Sequence, residues 1–145
     1  MIEVDPEDEV YYRLSLAMEH LEYARRRMTI KDYPGVVMAA QLSIENSAKS
    51  VIAHVHVPSW THDPSAELEE IVDGYPGELR TLIRRLSEIS SYAAPEHGRA
   101  TYGVPWEWIT PSQLYGYEEA EEILNVATEA LEIAVKVLPS IGYKV

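Results

Sequence analysis

The chain has 145 residues, no cysteine, and a formal net charge of −12 from 12 Lys and Arg against 24 Asp and Glu. A chain of this length is expected to form one domain, residues 1–145, and without cysteine it cannot form a disulfide. The negative charge opposes nonspecific binding to phosphate backbones, which disfavours a free-standing nucleic-acid-binding protein.

The acidic N-terminus lacks the basic segment and apolar run of a signal peptide, and no run of about 18 apolar residues occurs. We therefore expect a cytoplasmic protein without a membrane span. Asn and Gln occur only twice each, and this composition leans toward a thermophilic source.

Two long helices are predicted first. One begins at Pro6 with Asp5 as its N-cap and carries Arg25 to Arg27 in its last turn, where cations suit the negative helix end. The other is capped by Asp32 and extends to about Val55. Because it is apolar on nearly all sides, it is typical of a helix at the centre of a bundle or covered by a second subunit.

The second half of the chain predicts a short helix in SAELEEIV, a break at DGYPG, and a further helix from Leu79 to about Tyr92. Residues 94–117 are predicted to be the longest irregular stretch, and they hold two of the three Trp. A last helix follows from Ala120 to Leu138. The sequence thus predicts an all-α protein, an up-and-down helical bundle of four main helices plus one or two short ones, with an aromatic-rich loop before the last helix.

A polar row runs beside the apolar stripe of the second helix: Gln41, Glu45 and Lys49 recur at four-residue spacing. In a structural interpretation, Glu45 and Lys49 form an ion pair one turn apart and Gln41 bonds to a neighbouring helix or subunit. In a functional interpretation, the row and the nearby His62 and Asp63 line a polar pocket. We favour the structural interpretation, because polar residues at a bundle seam commonly fix register.

Histidines and an aspartate near the end of the second helix raise the possibility of zinc, because imidazole and carboxylate are suitable ligands. These residues are His54, His56, His62 and Asp63. Residues two apart on a helix point to different sides, so His54 and His56 could chelate together only beyond the helix end. We predict no metal site and no cofactor, and expect His62 or Asp63 to cap the third helix instead.

The predicted aromatic loop contains the best candidates for recognition: His97, Arg99, Tyr102, Trp106 and Trp108. An Arg fork can hold a phosphate and aromatic faces can stack on a base, so the loop could bind a nucleotide or an RNA end. Alternatively, the Trp side chains cover the bundle and Arg99 pairs with an acidic residue. The same residue types are also enriched at protein interfaces.

The order of segments resembles the HEPN family (higher eukaryotes and prokaryotes nucleotide-binding domain). The resemblance rests on KDYPGVVMAAQLSIENSAKSVIAH, an HD pair before a Leu-rich helix, RATYG, and YGYEEAEEILNVATEALEIAVKVL, and spans about Tyr12 to Leu138. It implies an up-and-down helical bundle, frequent homodimers, and partnership with minimal nucleotidyltransferases in toxin and antitoxin modules. Many members are metal-independent ribonucleases that use an arginine and a histidine with four to six residues between them.

This chain departs from the family's ribonuclease motif. After Arg84 the next histidine is His97, too far along the chain, and no histidine follows Arg99. The formal match of Arg13 with His20 lies on the first helix, the wrong element for the motif. We therefore predict a noncatalytic HEPN-like binding protein, associated with a nucleotide or RNA and with a minimal nucleotidyltransferase, and a homodimer.

Two alternatives stay open at this point. One is an active ribonuclease whose Arg and His meet in space or across a dimer, drawn from His20 or His97 with Arg13, Arg84 or Arg99. The other is a purely structural protein–protein interaction module.

Overall fold

A computed structural model describes residues 5–145 as a bundle of helices. The helices are α1 (Pro6–Thr29), α2 (Tyr33–Ile52), α3 (Ser65–Ile71), α4 (Gly77–Ala93), α5 (Glu96–Tyr102), α6 (Pro111–Leu114) and α7 (Tyr117–Ser140), with 3-10 turns at Val72–Gly74 and Pro105–Glu107. The predicted all-α fold is confirmed, with α1, α2, α4 and α7 as its main helices and α3, α5 and α6 as short ones.

The predicted helix starts are confirmed by their caps. The side chain of Asp5 accepts a hydrogen bond from the backbone N–H of Glu7, and that of Asp32 accepts one from Gly35. The link between α1 and α2 is only three residues long, so these two packed helices run antiparallel. Each cap satisfies a backbone donor that the first helical turn leaves without a partner.

Helix α2 is the central helix of the bundle and packs against α1, α3, α4, α5, α6 and α7. Most of its apolar side chains are buried, among them Val36, Ile44, Val51 and Ile52, while Met38 and Leu42 are partly buried. This confirms the interpretation of a central helix, and it does so within one chain. The helix ends at Ile52, three residues before the predicted end, so His54 and His56 lie beyond it.

The stretch predicted as irregular, residues 94–117, is more ordered than expected. It contains α5, a 3-10 turn and α6, and α6 has a capping box formed by Thr110 and Gln113. Helix α5 is only seven residues long and contains Gly98, so its sequence gives little helical signal. Gly103 ends it at φ 68°, a conformation that favours glycine.

The core lies between the faces of α1, α4 and α7 that surround α2. Within residues 5–145, no helix has both the length and the apolar character needed to cross a membrane.

Candidate functional site

The polar row of α2 is buried. Gln41, Glu45 and Lys49 are 1%, 6% and 3% exposed, although all three are polar. The Lys49 ammonium donates to Glu45 Oε2 at 3.2 Å, and the Gln41 amide donates to Glu45 Oε1 at 3.4 Å. The predicted ion pair is confirmed, but it lies inside the protein, where breaking it costs far more than on a surface.

Two histidines from other segments complete this network. His97 of α5 places Nδ1 2.9 Å from Gln41 Oε1, and His62 of the α2–α3 link places Nδ1 2.8 Å from Glu45 Oε1. The two imidazole rings stack with centroids 3.6 Å apart and planes inclined by 17°. The predicted bond from Gln41 to a neighbouring helix is therefore confirmed. We call these five residues, Gln41, Glu45, Lys49, His62 and His97, the α2–histidine cluster.

The cluster fixes which nitrogen of each ring donates a hydrogen bond. An amide oxygen and a carboxylate accept hydrogen bonds, so each Nδ1 carries a proton. Burial lowers the pKa of His97, and the neighbouring His62 lowers it further, while Glu45 opposes the shift. His97 is therefore neutral at neutral pH, because its pKa lies below the ordinary value of 6.5.

The other residues of the zinc hypothesis form different contacts. Asp63 Oδ1 accepts from the backbone N–H of Ser65, the first residue of α3, at 3.0 Å, but Pro64 and not Asp63 occupies the N-cap position. His54 Nδ1 lies 3.1 Å from the Tyr143 hydroxyl, and His56 Nδ1 lies 3.8 Å from Glu67. Among the candidates of that hypothesis, His62 alone joins the α2–histidine cluster.

Residues 102–109, which we call the aromatic loop from here on, project their large side chains into solvent. Trp106 is 79% exposed and Trp108 is 88% exposed, so these side chains do not cover the bundle as the alternative interpretation supposed. Tyr102, at the end of α5, is 72% exposed. Val104 and Ile109 exchange backbone hydrogen bonds at 2.8 and 3.1 Å, which closes the loop at its base.

Arg99 lies at a cleft of about 240 Å³ between α5, α6 and α7. Its guanidinium is 3.4 Å from Glu96 Oε1, so it does pair with an acidic residue, and Glu119 and Glu122 line the same cleft. The Tyr115 hydroxyl donates to Glu96, and burial together with that carboxylate raises the pKa of Tyr115. One cation among three carboxylates makes this cleft unfavourable for a phosphate.

The formal Arg13 and His20 match lies on α1. Arg13 Nε is 2.8 Å from Glu9 Oε1, and its Nη1 donates to Asn46 Oδ1 at 3.3 Å. The His20 ring packs edge-on against Tyr23, and burial lowers its pKa. No hydrogen bond links these two side chains in the part of the chain that the structure describes.

This fold defines a small all-α domain of the helical-bundle class. The domain has a buried polar cluster on its central helix and exposed aromatic side chains before its last helix. The family model of the HEPN domain matches residues 10–138, so the chain belongs to the HEPN domain family. No curated protein and no solved structure matches the chain.

Sequence reasoning placed His62 and Asp63 beside the row in its functional interpretation, and the structure brings His62, but not Asp63, to Glu45. It missed the contact of His97 with the row, because it assigned His97 to the aromatic loop. It also missed Glu96 and Tyr115, which join α5 to the segment before α7. The signal that could have found Glu96 is its position three residues before Arg99, the spacing of an ion pair on one helix.

Proposed function

We propose that the chain is a noncatalytic HEPN binding protein that docks a partner protein through the aromatic loop formed by residues 102–109. The observation that carries the proposal is the exposure of Trp106 and Trp108, two large apolar side chains that nothing covers among residues 5–145. Exposed aromatic side chains close together are typical of interfaces, where Trp and Tyr often supply most of the binding free energy.

The backbone of the loop supports this role because it is already ordered. The Val104–Ile109 pairing closes its base, and the 3-10 turn Pro105–Glu107 fills its tip. Proline restricts the chain at the start of that turn. A loop held in one conformation loses less conformational entropy when it binds, so its aromatic side chains contribute more fully to affinity.

The partner we propose is a minimal nucleotidyltransferase, and the resemblance to the family also leads us to propose a homodimer. In this arrangement the association with nucleotide or RNA occurs through the complex. The net charge of −12 supports association with nucleotide or RNA through the complex and not through this chain alone, because a strongly acidic chain repels a phosphate backbone.

The test is binding between the purified chain and minimal nucleotidyltransferases of its source genome, each expressed alone and measured by calorimetry. We expect one of them to bind, and we expect the double variant Trp106→Ser/Trp108→Ser to weaken that binding at least about tenfold, the loss typical of a hot spot. Both side chains are exposed, so the variant should keep its melting temperature.

Met18→Ser is the matched control, since Met18 is also an exposed apolar residue but lies on α1. It should bind the partner like the parent chain. A nucleotidyltransferase that binds the double variant as tightly as the parent would remove the aromatic loop from the interface. Failure of every candidate to bind would overturn the choice of partner.

Direct binding of a nucleotide or RNA is the second candidate. Arg99 and Tyr102 are one turn apart on α5 and both exposed, which offers a guanidinium and an aromatic face side by side. If this candidate is correct, nucleotides or single-stranded RNA should raise the melting temperature of the chain, and Arg99→Gln or Tyr102→Ser should abolish the rise. The glutamates that surround Arg99 lead us to expect no rise.

The proposal that the chain is noncatalytic is supported by the hydrogen bonds and ion pairs that the histidines and arginines already make within the chain. Glu45 and Gln41 bind the Nδ1 atoms of His62 and His97. Arginines with a carboxylate within ion-pair distance are Arg13, Arg26, Arg27, Arg84, Arg85 and Arg99. We expect no RNA cleavage in metal-free buffer. Cleavage that disappears in His20→Ala, His97→Ala, Arg13→Ala or Arg99→Ala variants of intact fold would establish a ribonuclease instead.

A further inference from the structure

We propose that Glu45, His62 and His97 bind a divalent transition-metal ion of the zinc class, a site independent of the aromatic loop and its partner. The three residues come from α2, the α2–α3 link and α5. Each offers one ligand atom, and these atoms all lie within 4.8 Å of one another. Three segments distant in sequence therefore converge on one point.

The chemistry of the three groups selects the ion. Two imidazoles and one carboxylate suit zinc and its first-row neighbours, whereas magnesium and calcium prefer oxygen ligands alone. Three protein ligands leave one position of a tetrahedral ion for water or an outside group. The site therefore has the composition of an open zinc site.

The distances are close to those that an ion requires. Two zinc ligands at about 2.0–2.2 Å from the metal lie roughly 3.3 Å apart at the tetrahedral angle. Glu45 Oε1 and His62 Nδ1 are 2.8 Å apart, held by a shared proton. An ion in place of this proton requires His62 to carry its proton on Nε2, and it parts the two atoms by about half an ångström. An imidazole nitrogen binds an ion in the plane of its ring, so the His62 and His97 rings also have to turn out of their 3.6 Å stack when the ion binds.

The surroundings orient the ligands. Gln41 Oε1 accepts from His97 Nδ1 at 2.9 Å, which fixes the ring and leaves its Nε2 free to coordinate. Lys49 binds the other carboxylate oxygen of Glu45 at 3.2 Å and keeps Oε1 directed toward His62. The positive charge of Lys49 lowers the affinity for a cation, so we expect a weaker site than a structural zinc centre.

Access to the site is open on one side. Glu45 is buried, but the side chain of His62 is 54% exposed. An ion can therefore reach the ligands from solvent without unfolding of the bundle, and a small anion or water could complete its coordination. A site of this kind retains one exchangeable position.

The test is titration of the full, untagged chain, freed of metal by a chelator, with Zn²⁺ in a calorimeter and with Co²⁺ in a spectrophotometer. We expect one Zn²⁺ per chain and the intense visible absorption of tetrahedral Co²⁺. His62→Gln and His97→Gln should each raise the dissociation constant at least about tenfold and remove the Co²⁺ absorption. An excess of Mg²⁺ should not compete.

His56→Gln is the matched control, because His56 lies in the same link as His62 but outside the three-ligand group. It should bind Zn²⁺ like the parent. Glu45→Gln also tests the carboxylate, with circular dichroism to check that the bundle stays folded. Equal Zn²⁺ affinity in the parent, His62→Gln and His97→Gln would overturn the proposal, as would absence of stoichiometric binding by the parent.

Discussion

At the scale of single residues, two of the three buried serines of α2 allow a direct comparison of a hydroxyl that has a hydrogen-bond partner with one that has none. Ser43 Oγ donates to the backbone oxygen of Ala17 at 2.7 Å. Ser47 Oγ is equally buried, and among residues 5–145 it is the buried side-chain polar atom without a hydrogen-bond partner. A buried hydroxyl without a partner has lost its hydrogen bonds to water and has formed none within the protein, which costs free energy.

We expect Ser47→Ala to raise the free energy of unfolding by about 1 kcal/mol, since it removes an unsatisfied hydroxyl and improves helix propensity. Ser43→Ala, the matched control, should lower it by about 1 kcal/mol because it removes a hydrogen bond. Urea denaturation of the two variants and the parent measures both changes. Destabilisation by Ser47→Ala as large as that by Ser43→Ala would show that Ser47 has a partner.

A second prediction at this scale concerns pH and His97. In the folded chain, burial lowers the pKa of His97 below 6.5, while the unfolded chain keeps the ordinary value. The unfolded chain therefore binds more protons below about pH 6.5, and the free energy of unfolding falls as the pH decreases from there toward the folded-state pKa. Above the unfolded-state pKa, His97 is neutral in both the folded and the unfolded chain, so none of this loss in the free energy of unfolding occurs there.

His97→Gln should make stability less dependent on pH between about pH 8 and about pH 5.5, because glutamine does not titrate there. Its amide can still donate to Gln41, so the variant keeps a partner for that side chain. Thermal unfolding in the presence of a chelator measures the dependence without bound metal. His20 has a lowered pKa as well and remains in both proteins, so it cancels in the comparison. Parallel pH profiles would contradict the assignment to His97.

At the scale of elements, the segment between α5 and α6 depends on one glycine. Gly103 has φ 68°, and a Cβ placed on it would lie 2.0 Å from the backbone oxygen of Ile109. Gly98, inside α5, has open space around it. The two glycines of one short segment therefore respond to alanine in opposite directions.

Gly103→Ala should destabilise the chain by about 2 kcal/mol or more, because it adds both a backbone conformation that alanine disfavours and a backbone clash. Gly98→Ala should stabilise it by roughly 0.5–1 kcal/mol, since alanine is the better helix former. Near-ultraviolet circular dichroism of the tryptophans reports the loop, and urea denaturation reports stability. An unchanged Trp signal in Gly103→Ala would mean that the loop tolerates the substitution.

The helices differ in how well the sequence predicts them. Helices α1 and α2 carry clear caps at Asp5 and Asp32 and long apolar periods, so both were predicted with nearly their observed starts. Helix α5 was not predicted, because seven residues with a glycine give too short a period to recognise. Its order comes from tertiary contacts such as the bonds from His97 and Tyr115, which no local pattern contains.

The candidate site shows the same limit. The spacing of Gln41, Glu45 and Lys49 placed them on one face of a helix, which the structure confirms. That His97 bonds to Gln41 and stacks on His62 depends on the packing of α5 against α2, which brings together residues 56 positions apart in the chain. Periodicity identifies the members of a face, but it does not identify what another helix brings to that face.

At the scale of the whole molecule, the net charge of −12 makes the folded chain repel itself. Screening lengths fall from about 30 Å at 0.01 M salt to about 3 Å at 1 M, so added salt removes long-range repulsion before it weakens pairs in direct contact. Exposed ion pairs contribute little individually, as with Arg26 and Glu22. We therefore expect the melting temperature to rise as NaCl increases over that range.

Glu69 and Glu70 of α3 test this explanation, because both are exposed. Changing both to Lys makes the net charge less negative by four units and should make the rise with salt smaller. Glu69→Asp/Glu70→Asp keeps the charge and is the matched control, with the salt dependence of the parent. If all three proteins show the same rise, the salt acts by strengthening apolar burial and not by screening, since that effect is independent of net charge.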